Sequence, residues 1–133
     1  MSSYLAPVTI SVLTKRADFL AANRGLRVAR PGFVLLTRPN QGRGKRFGIT
    51  VTKKVGNAVV RNRIKRRFRE LLRDALPQQG LPDHDHVLIG RAGGIERDFH
   101  LMRDELTQAL ERAAAGKGDR PRSPRARSGK AQR

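Results

Sequence analysis

The chain has 133 residues, no cysteine, a formal net charge of +18 at pH 7 and an isoelectric point of about 11.8. This length fits one domain, and the lack of cysteine excludes disulfides and cysteine-ligated zinc. No apolar run approaches the ~18 residues that would span a bilayer, and the N-terminus lacks the regions of a secretory signal. We therefore expect a cytoplasmic protein. The charge favours a nucleic-acid partner over an anionic membrane surface, since the chain has no Trp.

Positive charge is present in both parts of the predicted domain organisation. Residues 116–133 contain no large apolar residue and carry seven bases and one acid, a composition typical of a disordered basic tail. Residues 1–115 still carry 22 bases and 10 acids. We therefore expect a basic folded domain over 1–115 and a tail over 116–133.

Hydrophobic periodicity and turn residues divide the domain into six elements. Thr14 can cap the first helix and Gly25 can end it, whereas Asn57 can cap a longer helix that Pro77 and Gly80 close. The predicted order is a helix over 15–24, strands over 33–37 and 46–52, a helix from 57 to about 76, a strand over 87–89 and a helix over 97–114. This order predicts an α+β fold, with helices packed mainly on one face of a small mixed sheet.

The densest positive charge lies in residues 43–73, which contain twelve Arg or Lys and one acid, Glu70. On a helical wheel, the apolar residues of 58–76 form a stripe that would pack on the sheet. Arg61, Asn62, Lys65 and Arg69 share a different face. Solvated helix faces usually mix both signs, so this face predicts binding to the phosphates of a nucleic acid.

The residues around this face support phosphate binding. Lys53 and Lys54 end a strand just before the helix, and Asn57 opens the helix, where free N–H groups and the helix dipole favour an anion. The amide of Asn62 can contact a base edge or a sugar hydroxyl while arginines hold phosphates. The residues expected to bind RNA are Lys53, Lys54, Asn57, Arg61, Asn62, Arg63, Lys65, Arg66 and Arg69.

No arrangement typical of a protein nuclease is visible. The histidines lie outside the basic run, and Asp83-His84-Asp85-His86 is interpreted as a polar loop entering the third strand rather than a metal site. We therefore expect no catalytic residue and no metal or cofactor bound by the protein.

The run from Lys53 to Arg66 closely resembles the Arg-Asn-Arg signature of the bacterial ribonuclease P protein subunit family, with Arg61-Asn62-Arg63 at its centre. The resemblance covers about residues 11–113. Further similar segments are Leu13-Thr14-Lys15, Asp18-Phe19, Phe33-Val34-Leu35 and Phe47-Gly48-Ile49.

This resemblance implies a function and one unusual feature of the fold. The chain would be the auxiliary subunit of an endoribonuclease whose catalytic RNA uses Mg²⁺ to remove the 5′ leader from precursor tRNA. The expected partners are this RNA and the leader, with no membrane and no DNA. The fold would include a left-handed β-α-β crossover, although such connections are right-handed in about 98% of cases.

The resemblance also implies that the leader binds in a cleft between the sheet, the first helix and the signature helix. A core role for Phe33 and Leu35 agrees with this cleft, because it leaves Val34 and Leu36 on the other face. Asn23 and Leu36 stand where the family often has aromatic residues, so binding would depend more on charge than on stacking. The expected cleft residues are Phe19, Val34, Leu36, Thr50, Asn62, Lys65 and Arg69.

Two alternatives remain open on composition. One is a non-enzymatic RNA-binding protein, such as a ribosomal protein or an RNA chaperone. The other is a DNA-binding protein that inserts the basic helix into the major groove. The second is weaker, because this helix would pack an apolar stripe on a sheet and lacks a helix-turn-helix context.

Overall fold

The computed structural model of the protein describes residues 10–118. Its central element is a five-stranded sheet with helices on both faces. The strands are β1 (Ile10–Val12), β2 (Leu26–Ala29), β3 (Phe33–Pro39), β4 (Lys45–Thr50) and β5 (His84–Gly90). The helices are α1 (Arg16–Ala22), α2 (Ala58–Gln79) and α3 (Phe99–Ala114), with a short 3-10 turn at Ala92–Gly94. The strands lie in the order β1-β4-β5-β3-β2. β4 is parallel to β1 and β5, and β3 is antiparallel to β2 and β5, so the sheet is mixed.

The predicted α+β class and the order of its six elements are confirmed. Sequence patterning missed β1 and β2, which are short strands at the two edges of the sheet. β4, α2 and β5 form a β-α-β unit in which the two strands are parallel neighbours, as the implied crossover requires. No helix within residues 10–118 is long and apolar enough to cross a membrane.

The predicted first helix, capped by Thr14 and running to residue 24, was wrong at both ends. α1 ends at Ala22, and its N-cap is Lys15, which makes no side-chain capping hydrogen bond.

Two further predicted boundaries were wrong. β5 begins at His84, so His84, Asp85 and His86 belong to the strand rather than to a loop before it. α2 continues through Pro77 to Gln79, because a proline in the last turn disturbs few helical hydrogen bonds. The Lys45 Nζ donates to the carbonyl groups of Leu76 and Pro77, at 3.0 Å each, and so satisfies two carbonyls at the helix end.

Strand alternation assigns the sheet residues to two faces that differ in their cover. On the closed face, α2 and α3 pack over a cluster of buried side chains. That cluster includes Phe33, Leu35, Phe47, Phe68 and Leu88, and the rings of Phe33 and Phe68 meet edge to face at 6.2 Å.

Among the described residues, the opposite, open face carries only α1 and a smaller buried cluster. This cluster consists of Leu13, Ala22, Val34, Leu36 and Val87. Val34 and Leu36 therefore face away from Phe33 and Leu35, as predicted, although both are buried. Two of the three helices thus pack on one face, and α1 packs on the other.

The predicted end of the domain at residue 115 lies next to the end of α3 at Ala114. Gly116 has a positive φ of 73°, a conformation that favours glycine just after a helix. The predicted tail falls mainly on residues 119–133, outside the described residues.

Candidate nucleic-acid interface

α2 is held on the closed face by an apolar stripe that agrees with the predicted one. Ile64, Phe68, Leu71 and Ala75 are fully buried, and Val60 at the start of the stripe is half-buried. The predicted cap is also present, since the Asn57 Oδ1 accepts a hydrogen bond from the Val60 N–H at 3.0 Å. This anchoring fixes which side of α2 is presented to solvent.

One flank of α2 is occupied by α3. Arg67 donates a hydrogen bond to the carbonyl of Arg97, and its guanidinium lies 6.0 Å from the centroid of the Phe99 ring. About two turns further on, Asp74 forms an ion pair of 2.6 Å with Arg103. Arg67 is therefore a packing residue, although the sequence places it inside the basic run.

The opposite flank of α2 is free of α3 and carries the basic face. At about 100° per residue, Asn62 and Arg69 lie roughly across the helix from Arg67. Arg61 and Lys65 are half-buried, because they border the apolar stripe. The other residues expected to bind RNA are all exposed, namely Lys53, Lys54, Asn57, Asn62, Arg63, Arg66 and Arg69.

The open face contains a cavity of about 560 Å³ between α1 and the sheet. Phe19, a half-buried aromatic residue on α1, is part of its wall. The complete lining consists of Thr14, Arg16, Phe19, Leu20, Asn23, Leu36, Ile49, Thr50, Thr52, Val87 and Ile89. The cavity is thus mainly apolar, with hydroxyl, amide and guanidinium groups at a few positions.

The structure divides the expected cleft residues between two surfaces. Phe19, Leu36 and Thr50 line the cavity, whereas Val34 is buried on the same face and is not part of the lining. The lining also lacks Asn62, Lys65 and Arg69. α2 packs on the closed face and α1 on the open face, which agrees with the absence of α2 residues from this lining.

Eight residues of the cavity lining were not among the expected cleft residues, namely Thr14, Arg16, Leu20, Asn23, Ile49, Thr52, Val87 and Ile89. A signal was available for Arg16 and Leu20. Arg16, Phe19, Leu20 and Asn23 follow each other at the spacing that places residues on one side of a helix. Leu20 is also 53% exposed, which is unusual for a large apolar side chain next to a buried cluster.

Asp85, from the segment considered as a metal site, lies in a network of internal hydrogen bonds. It accepts two hydrogen bonds from Arg46, at 2.7 and 2.8 Å, and one from the Asn40 Nδ2 at 2.9 Å. Burial alone would raise the pKa of Asp85, but the hydrogen bonds from Arg46 and Asn40 outweigh it and lower the pKa below its usual value. The carboxylate therefore stays ionised and holds two neighbouring elements together.

His86, on the other side of the strand, is fully buried and also structural. Its Nε2 accepts a hydrogen bond from the Leu81 N–H, so the ring is neutral and its Nδ1 donates to the Arg46 carbonyl, each at 3.0 Å. Burial is the main cause that lowers the pKa of His86 to about 4. Among residues 10–118, no group of three or more His, Cys, Asp or Glu is arranged to hold a metal ion.

Comparison with known proteins identifies one family. The family model described as Ribonuclease P matches residues 10–114, from β1 to α3. The Ribonuclease P protein component of Erythrobacter litoralis is 75% identical over 117 residues, which cover 88% of this chain and 96% of the relative. The Ribonuclease P protein component of Ruegeria pomeroyi is 44% identical over 119 residues, which cover 86% of this chain and 95% of the relative.

Solved structures are similar over the same region. The RNase P protein from Thermotoga maritima matches with a TM-score of 0.64 at 35% identity, covering 77% of this chain and 96% of that protein. The Staphylococcus aureus RNase P protein matches with a TM-score of 0.64 at 33% identity, covering 77% of this chain and 94% of that protein. The comparison by sequence and the comparison by structure therefore identify the same family.

Proposed function

Because this chain belongs to the ribonuclease P protein family, we propose that it assists a catalytic RNA in removing the 5′ leader from precursor tRNA. The observation that carries this proposal is that one small domain carries two surfaces of different chemistry. One is the exposed basic face of α2, and the other is the apolar cavity of the open face. The family match favours this function over that of a ribosomal protein or an RNA chaperone.

The basic face of α2 is the proposed contact with the RNA subunit. Asn62, Arg63, Arg66 and Arg69 are exposed on this helix, and Lys53 and Lys54 are exposed just before it. Each phosphate that a lysine or arginine neutralises releases condensed counterions, which favours binding. Arg67 is excluded from this surface by its contacts with α3.

The cavity is the proposed site of the leader. A single RNA strand offers unstacked bases, and an aromatic ring such as that of Phe19 can stack against one of them. Asn23, Thr50 and Thr52 supply hydrogen-bonding groups in the same lining, and Arg16 supplies a positive charge for a phosphate. This set of groups suits a nucleotide better than it suits an apolar ligand.

Catalysis in this proposal belongs to the RNA subunit, which would also bind the required Mg²⁺. The side chains of this chain support a binding role, because arginines and lysines dominate the α2 surface and would repel a metal cation. His86 and Asp85 are engaged in internal hydrogen bonds and support the fold. The protein would thus contribute affinity and orientation.

The direct test is reconstitution with a bacterial ribonuclease P RNA and precursor tRNA at low Mg²⁺. We expect the protein to stimulate 5′ cleavage by the RNA and to cleave nothing alone. Cleavage by highly purified, nuclease-treated protein, or a lack of stimulation, would contradict the proposal.

Two variants separate the two surfaces in this assay. Phe19→Ala should weaken binding of precursor tRNA only when the leader is present. Arg63→Ala should weaken binding to the RNA subunit whether or not a leader is present. The matched control is Arg112→Ala, which removes one exposed positive charge from α3, away from both surfaces, and should change neither.

A further inference from the structure

The ring of Phe19 lies where a side chain at position 48 would be. A Cβ atom built on Gly48 would be 2.4 Å from the Phe19 Cε1 and 2.6 Å from its Cζ. Real Cβ atoms essentially never come closer than 3.0 Å to a neighbouring atom. Gly48 lies on the open face of β4, in register with Val87 of β5. The aromatic ring of α1 therefore packs directly on the backbone of the strand.

An ion pair ties α1 to the same strand beside this contact. Asp18, the residue before Phe19, lies 3.7 Å from the guanidinium of Arg46. Arg46 is two residues before Gly48, so the two side-chain positions share the open face. The guanidinium is itself fixed by its two hydrogen bonds to Asp85, on the neighbouring strand.

α1 depends on these contacts for its position. It has only seven residues, and Lys15 at its N-cap makes no side-chain capping hydrogen bond. Isolated helices of this length are unstable in water, so contacts with the sheet must set where α1 lies. Consecutive residues of α1 thus dock on alternate residues of β4: Asp18 on Arg46, and Phe19 on Gly48.

We propose that Gly48 is a positioning residue for the leader cavity, because its missing side chain leaves the space that the ring of Phe19 occupies. Arg46 holds α1 next to this space through its ion pair with Asp18. The inference builds on the proposed function, since it assumes that Phe19 contacts the leader. It adds that the depth of the ring on β4, and with it the shape of the cavity wall, is set by a residue that does not line the cavity.

The geometry separates this role from a role in stability. In Gly48→Ala, the two closest atoms are at the far end of the half-buried Phe19 side chain, so the ring can swing away while the fold is kept. The next atom, the Leu13 Cδ1 at 3.2 Å, would need to give by only a few tenths of an ångström. Gly90→Ala is a matched control on the closed face of β5. There, the added Cβ would lie 2.9 Å from the Val51 Cγ2 and 3.1 Å from the Ile64 Cγ2, inside the core.

The first experiment needs no RNA. Fluorophenylalanine is incorporated into the full chain, and the fluorine resonance of position 19 is assigned by its loss in Phe19→Leu. We expect Gly48→Ala to shift this resonance with little change in melting temperature. Gly90→Ala should lower the melting temperature and leave the resonance in place.

The second experiment is a double-mutant cycle in the reconstituted holoenzyme, with precursor tRNA and leaderless tRNA as probes. Gly48→Ala should weaken binding of the leader-containing substrate by about fivefold or more, the lower limit for losing one base stack on an aromatic ring. Binding of leaderless tRNA should not change. In the Phe19→Ala background, Gly48→Ala should cause no further loss, because the ring it displaces is absent.

The possible failures are distinguishable. An unmoved fluorine resonance, an unchanged leader affinity in Gly48→Ala, or equal losses in both backgrounds would overturn the positioning role. If Phe19→Ala itself left leader affinity unchanged, the assignment of the leader to the cavity would fail, and the positioning role would fail with it.

Discussion

The two faces of the sheet share the same strands but differ in cover and in use. The closed face is sealed by α2 and α3, with Phe33, Phe68, Leu88 and Met102 all fully buried. The open face has a much smaller buried cluster, the seven-residue α1 and the cavity. Alternate residues of one strand thus serve either the core or an accessible apolar wall.

This difference indicates where the free energy of folding comes from. Apolar burial contributes about 25 cal/mol per Å², so the face with the larger sealed cluster supplies most of the stabilisation. The closed face also anchors α2 through Ile64 and Phe68, and so presents the basic face to solvent. Damage to the closed face should affect both surfaces, whereas damage to the open face should affect the cavity alone.

The largest expected effect comes from removing one phenylalanine from each face. Phe68→Ala should lower the free energy of unfolding by about 3–5 kcal/mol, because it leaves a cavity in a fully buried core. Phe19→Ala should cost only about 1 kcal/mol, because that ring is half-buried and next to open space. Urea unfolding of both variants measures the difference. Equal losses would mean that the open face is a second core.

The next largest effect concerns the buried histidine of the closed face. The unfolded chain binds a proton at His86 near its ordinary pKa of 6.5, whereas the folded protein binds it only near pH 4. The contribution of His86 to the free energy of unfolding is therefore at its full value above about pH 6.5, and it is lost as the pH falls to 4. The loss should be about 3 kcal/mol, at ~1.4 kcal/mol per pKa unit.

Urea unfolding between pH 7 and pH 4 checks this expectation. His86→Gln should be less stable at pH 7, because the amide cannot replace both hydrogen bonds of the ring, but its stability should depend less on pH in this window. His100→Ala, which removes an exposed histidine, should keep the slope of the parent protein. A parent-like slope in His86→Gln would show that another group causes the acid loss. Asp85, whose pKa is lowered, contributes mainly below this window.

The sequence predicted best those features that are encoded locally. α2 has 22 residues, so its apolar stripe repeats often enough to be recognised in the sequence. Its cap at Asn57 was recognised because asparagine is one of the few residue types preferred at the start of a helix. Alternation in β3 correctly placed Phe33 and Val34 on opposite faces. β1 and β2 have three and four residues, too few for a periodic pattern to stand out.

The features that were missed depend on contacts between distant segments. A helical wheel shows which side of α2 is buried, but not which face of the sheet it covers. The resemblance placed Asn62, Lys65 and Arg69 in the leader cleft together with Phe19, and none of the three is part of the cavity lining. The contact between the Phe19 ring and the backbone at Gly48 likewise joins α1 to β4, and no local sequence pattern specifies that these two elements pack together.

A smaller effect distinguishes two arginines one turn apart on α2, of which Arg63 is exposed and Arg67 contacts α3. Arg63→Ala should weaken RNA binding and reduce the salt dependence by about 0.7–0.9 per lost phosphate contact, with unchanged stability. Arg67→Ala should instead cost about 1 kcal/mol of stability, because it removes a hydrogen bond and a cation–π contact with α3. Binding isotherms at several salt concentrations, together with urea unfolding, measure both. A reduced salt dependence in Arg67→Ala would place Arg67 itself in the RNA interface.

The smallest expected effect comes from removing residues 119–133, which carry six bases and one acid but no large apolar residue. The cut leaves Gly118, on which an added Cβ would lie 3.1 Å from the Leu26 Cδ2, and it keeps the hydrogen bond from the Gly116 N–H to the Ala113 carbonyl. Stability should change by less than about 0.5 kcal/mol, because neither face loses an apolar contact. The non-specific RNA affinity of the truncated chain should be lower than that of the full chain at low salt, and the two should converge as salt rises. The reason is that the Debye screening length shortens from ~10 Å at 0.1 M to ~3 Å at 1 M.

Melting curves and salt titrations of the truncated and full chains test this. A chain of full length, with the six bases replaced by Gln, is the matched control and should behave like the truncation. Discrimination between precursor and leaderless tRNA should be the same in all three proteins, because the cavity lining ends at Ile89. A clear fall in melting temperature on truncation, but not on replacement with Gln, would mean that the backbone of this segment packs on one of the two faces, and the division between a closed and an open face would then need to include it.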